Sequence, residues 1–187
     1  MKKIKEFYSK YKLQFWTILI MSLVGTAMHF VVKLFPTDLG QKIIGPIFPI
    51  NETIVEHFKM LWYPFLVGGI VLSFKKRDIA YFGAFVIAGI FSIILVLGLF
   101  VFYQSFLTKS ILWLDIIIFF IVYFVCGMLA FDLTRLPIVK KGWPVWLGLA
   151  VIVTAAIIVM TYLPGKGYMF QDDSGLEEMF EVMDSLH

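Results

Sequence analysis

Cysteine, charge and soluble-enzyme signatures are what this sequence has least of. Its one cysteine, Cys126, sits inside an apolar run, so no intrachain disulfide forms and no CxxC or zinc-ribbon spacing exists. Charged residues make up 16% of the 187-residue chain against 60% hydrophobic, with a mean hydropathy of +0.90. A soluble domain is roughly one-quarter charged. There is no Walker loop, no GxSxG and no dinucleotide fingerprint, and Gly165 with Gly167 marks only a turn. Acids are scarce outside the C-terminal stretch, which holds Asp172, Asp173, Glu177, Glu178, Glu181 and Asp184. The net charge of +3 therefore combines a basic body with an acidic tail. The basic residues flank apolar runs instead of lining one soluble face, which is a membrane-topology pattern and argues against a nucleic-acid partner.

What is there is five apolar runs. Lys2, Lys3, Lys5, Lys10 and Lys12 precede the first, residues 13–34. It exceeds the roughly 7–15 residues of a signal-peptide core and lacks a small-x-small exit, so it reads as a retained span. The second, residues 51–74, is closed by Lys75, Lys76 and Arg77; the third, 79–103, carries Ala84, Ala88 and Ser92 as a small-residue packing stripe. The fourth, 111–131, is interrupted by Asp115, and the fifth, 144–163, is opened by Trp143, Pro144 and Trp146. Residues 35–50 form a Pro- and Gly-punctuated connection expected to dip into the interface.

The expected fold is an all-α membrane protein with five transmembrane helices in one domain, residues 1–164, followed by a tail, residues 165–187. In that tail Leu176, Met179, Phe180, Met183 and Leu186 recur at helical spacing and predict a short amphipathic C-terminal helix. Its acidity points away from anionic lipid and toward docking on the protein itself, a second copy or a partner protein through residues 174–187. The N-terminal lysines, residues 75–77, and Arg135, Lys140 and Lys141 fall on one side of the five spans. The positive-inside rule then predicts a multi-pass protein of the cell membrane with a cytoplasmic N-terminus and the C-terminus outside.

The remaining polar residues concentrate in residues 48–59. Pro49 enforces an extended lead-in, Asn51 reads as the N-cap of a helix that starts there, and Glu52 and Glu56 in its first turns favour the helix dipole. At about 1.5 Å per residue, His29, His57 and Asp115 each lie roughly 24 Å from the basic end of their own span, so three spans bring titratable groups to one depth. Glu52, Glu56 and Lys59 share a helix face, whereas His57 points about 100° away, toward where His29 or Asp115 could meet it.

Ionisable groups inside a membrane mark ligand and ion sites. The expectation is an outward-facing pocket with His29, Asn51, Glu52 and Lys59 as candidate ligand-binding residues. It would take a small molecule, a lipid, or a divalent cation such as zinc on His29 and His57, although the pattern is not HExxH. A second function class is a membrane-embedded, metal-dependent hydrolase of a lipid or amphiphile, with Glu56 as base and His57 and Asp115 as further catalytic candidates. A third is a transport or channel component, weakened by the lack of visible repeats. Against all three stands a structural role, with Glu56 and Lys59 an ordinary helix pair near the headgroups and Ser22 a packing residue.

The run Phe48-Pro49-Ile50-Asn51-Glu52-Thr53 followed by Glu56-His57-Phe58-Lys59 resembles the FPxNE[ST]xWEHxK signature of a family of small bacterial multi-pass membrane proteins of unknown function. His29-Phe30, and Thr161-Tyr162-x-Pro164 running into Phe170-x-Asp172, are similar to that family's pattern as well. Val55 stands where the family has tryptophan, with Trp62 the nearby aromatic, and the acidic stretch beyond Gly175 looks like an addition. The resemblance implies a multi-pass helical fold and an important polar layer, and it implies no reaction.

Overall fold

The computed structural model describes residues 2–31, 34, 37–51, 53–107 and 112–163. Among these the chain is helical and without strands: α1 Lys2–Val31, α2 Asp38–Ile44, α3 Ile54–Lys76, α4 Ala80–Gln104, α5 Leu112–Leu133, α6 Pro137–Lys141 and α7 Trp143–Tyr162. Five segments are long and apolar enough to cross a membrane: Tyr11–Val31, Ile54–Lys76, Ala80–Tyr103, Trp113–Leu133 and Trp143–Tyr162. At about 1.5 Å per residue each reaches the roughly 30 Å of a hydrocarbon core. The five-helix membrane fold expected from hydropathy is the one observed. The expected amphipathic helix of the tail lies outside the described residues.

The helix bearing the polar motif is the central one. α3 packs on α1, α4 and α7, α4 also packs on α5, and α1 closes the bundle by touching both α3 and α5. Half of the α3 span is buried against 11% of the α7 span, so α7 lies on the outside, against α4 and α3. Trp62 fixes that arrangement from within α3: it is fully buried, and its Nε1–H donates to Thr154 Oγ1 of α7 at 2.9 Å.

Pro64 lies inside α3 and has no N–H, which leaves the Met60 carbonyl without its helical donor. In hydrocarbon an unsatisfied carbonyl is costly, and the Tyr123 hydroxyl of α5 donates to this one. The approach requires Gly25 on α1, where an added Cβ would stand 2.0 Å from the Tyr123 hydroxyl oxygen. Three helices thus meet at one proline-released carbonyl.

At the end of the bundle carrying residues 75–79 and 134–142, hereafter the basic end, the chain turns from α3 to α4 in three residues. Arg77 adopts a left-handed conformation (φ 52°), with Arg77 N–H donating to the Phe74 carbonyl and Asp78 N–H to the Ser73 carbonyl, so the helix end satisfies itself. Trp146 Nε1–H donates to the Val139 carbonyl at 2.9 Å and ties α7 to α6.

At the opposite, motif end, one expectation is corrected. α3 starts at Ile54, not at Asn51. Asn51 Oδ1 accepts from the Thr53 N–H at 3.1 Å and the Thr53 hydroxyl at 2.8 Å, so this side chain builds a turn instead of capping a helix. Thr53, extended at φ −71° and ψ 150°, takes the N-cap position without a side-chain cap bond.

Candidate functional site

Four side chains hold residues 42–50 against the bundle. Lys59, fully buried, donates to the Gly45 carbonyl and to Glu56 Oε2, each at 2.6 Å. Glu56 Oε2 also accepts from the Ile50 N–H at 2.8 Å. Tyr63 donates to the Pro46 carbonyl at 2.5 Å, and Tyr162 of α7 to the Lys42 carbonyl at 2.7 Å. Positions 56, 59 and 63 share one face of α3 by their three- and four-residue spacing. The segment after α2 is too irregular to pair its own carbonyls, and in apolar surroundings side chains must do so. The Glu56–Lys59 pair is therefore no solvated surface pair: its side chains are 5% and 0% exposed, and it works as a clamp on the fold-back segment.

His57, next to Glu56 in sequence, faces another way. Its Nδ1 lies 2.8 Å from the Thr53 carbonyl one turn back, an oxygen that only accepts, so Nδ1 carries a proton and donates to it. The ring stacks on His29 of α1 at a centroid distance of 5.6 Å and 29° between planes, and meets Phe119 of α5 at 6.0 Å. Phe30 packs edge-on against His29. Both imidazoles are partly exposed. Two spans thus bring His29 and His57 together, the first of the two partners, His29 or Asp115, that helical spacing left open for His57.

Asp115 takes a different partner, accepting a hydrogen bond from the Tyr103 hydroxyl of α4. The residue that touches His57 from α5 is Phe119, one turn away, and Phe100 stands between Tyr103 and Phe119 at 5.6 and 6.3 Å. A row of aromatic rings, Tyr103, Phe100 and Phe119, runs from Asp115 to His57. Asn51 is exposed, and Glu52 lies outside the described residues. Among the described residues no three His, Cys, Asp or Glu stand where they could hold one metal ion. Ser22 donates back to the Leu19 carbonyl within its own helix.

Sequence reasoning missed Tyr63, Tyr103 and Tyr123 and gave Tyr162 no partner, yet each of the four supplies a hydroxyl to the polar framework. A signal was present. A phenol inside an apolar run needs a partner, and all four sit on membrane-spanning segments.

Together these features define a multi-pass helical membrane protein with a polar, side-chain-braced end. Residues 1–176 match the family of unknown function DUF6512, and the chain belongs to that family. No curated protein and no solved structure matches it.

Proposed function

We propose that this is a ligand-binding protein of the cell membrane, with a pocket at the motif end in which His29 and His57 contact a small molecule. Glu56, Lys59, Asn51 and Tyr63 hold the surrounding segment in place, and Asp115 acts on the pocket through Tyr103 and Phe119. The observation that carries this reading is the His29–His57 stack: two partly exposed imidazoles from different spans lie face to face, while the charges beside them are taken up by the protein itself. Two imidazoles fall short of the four ligands of a structural zinc site or the three of a catalytic one, which favours a hydrogen-bonding small molecule over a divalent cation. The burial of Glu56 disfavours the hydrolase reading, since a general base must reach its water or substrate.

The motif end faces outward in this reading. Asp78 and Lys140 pair at 3.0 Å and join two of the basic loops at one end, which supports the positive-inside assignment of that end to the cytoplasm. In a Cys126→Ala background, Ser185→Cys should react with an impermeant maleimide in intact cells and Ser9→Cys only after lysis. Equal outside reactivity overturns the orientation.

The pocket itself is tested by carbethoxylation of the purified protein, read by peptide mass spectrometry. An open pocket makes His29 and His57 reactive in the folded state, and modification of one slows that of the other. Inert His29 and His57 in a protein whose His187 reacts would overturn the pocket. Protection by zinc alone would move the assignment to the divalent cation.

A further inference from the structure

A cavity of about 450 Å³, within the roughly 300–1,000 Å³ typical of small-molecule sites, runs between α1 and α3. On α1 its wall extends from Leu13 to Met28, and on α3 from Lys75 back to Tyr63, with Phe48 of the fold-back segment at the far end. Leu13 and Met28 are fifteen residues apart, which makes the groove roughly 22 Å long at about 1.5 Å per residue. That exceeds the roughly 15 Å of one leaflet of a 30 Å hydrocarbon core. The Met21 side chain packs onto the α3 backbone at Gly68, where an added Cβ would stand 2.9 Å from the Met21 sulfur, so the groove has a floor. Its lining is apolar along almost its whole length, and the charged group on it is Lys75, at the basic end, next to Lys76 and Arg77.

We propose that this groove binds one anionic phospholipid, its phosphate on Lys75 and one acyl chain extended along α1 and α3 toward Phe48. Charge and shape argue together. A zwitterionic lipid cancels most of the attraction at Lys75, and a free anion leaves the apolar walls unfilled. Neither histidine lines the groove, and although Tyr63 and Phe48 at its far end belong to the braced segment, the headgroup position at Lys75 lies at the opposite end of α3.

Native mass spectrometry of the full chain from detergent, with phosphatidylglycerol and phosphatidylcholine of identical chains, tests it. One phosphatidylglycerol should be retained at an affinity about fivefold or more above phosphatidylcholine, the order expected for one lysine near an anionic headgroup. Lys75→Gln should abolish that preference. Val67→Trp, at an exposed position lining the groove, should displace both lipids, and Val24→Trp on the facing helix serves if the first variant does not fold. Inorganic phosphate alone should neither bind nor stabilise. Equal retention of the two lipids by the unaltered protein, bound lipid unaffected by either tryptophan, or phosphate alone reproducing the stabilisation would each overturn the proposal.

Discussion

The two ends of the bundle carry the same kind of pair, a cation with a carboxylate, in opposite settings. At the motif end Lys59 and Glu56 stand 2.6 Å apart with side chains 0% and 5% exposed. At the basic end Lys140–Asp78 spans 3.0 Å at 59% and 34% exposure, and Arg135–Asp132 spans 3.4 Å at 68% and 63%. The connections explain the contrast. The link from α3 to α4 closes its own helix end through Arg77 and Asp78, so its charges are left to water. From the last turn of α2 toward α3 the described backbone is irregular, and Lys59, Glu56, Tyr63 and Tyr162 complete its hydrogen bonds. Charge is buried in this protein where irregular backbone meets apolar surroundings.

The contrast predicts a large effect at Lys59. Lys59→Met removes the donor to Glu56 and to the Gly45 carbonyl, and breaking a buried pair from one side costs about 3–5 kcal/mol. Denaturant or thermal unfolding in micelles measures it, and the double variant Glu56→Gln/Lys59→Met should be less destabilised than the sum of the singles. A loss below about 1 kcal/mol, the scale of an exposed pair, would erase the difference between the ends.

A middle-sized effect belongs to Tyr123, whose hydroxyl serves a backbone group inside the span. Tyr123→Phe leaves the Met60 carbonyl unsatisfied and should cost about 1–3 kcal/mol. Pro64→Ala restores the helical N–H, so in that background the same change should cost less by at least about 0.5 kcal/mol. Strict additivity would mean that the hydroxyl does not answer to the proline.

The spans were legible in the sequence because length and apolarity suffice to define them, whereas helical spacing set His57 apart from Glu56 but left open whether it faces the first or the fourth span. The fold-back segment was not legible. Its carbonyl at Lys42 is paired by Tyr162, 120 residues away, and no local pattern encodes that partner. The start of α3 was placed three residues early because Asn51 suits both an N-cap and a turn, and Thr53 decided the competition by offering both its N–H and its hydroxyl. Pro64 announced an unsatisfied Met60 carbonyl, yet only packing could name Tyr123 as its donor.

The smallest effect should come at Asp78. The Ala80 backbone N–H, and then Lys140, hold its carboxyl below the usual carboxylate range. A folded-state value below the unfolded one means that the carboxylate contributes in full above the unfolded value of about 3.9 and loses its contribution as pH falls through the folded value. Asp78→Asn keeps an oxygen for the Ala80 N–H and removes the charge, so it isolates the pair with Lys140. The loss at neutral pH should be under about 1 kcal/mol, should shrink as salt is added, and should vanish on acidification as the native carboxyl becomes protonated. The destabilisation by Lys59→Met should survive the same salt, because no counterion reaches a fully buried pair. If salt diminishes both effects alike, the motif-end pair is open to solvent and the contrast between the two ends fails.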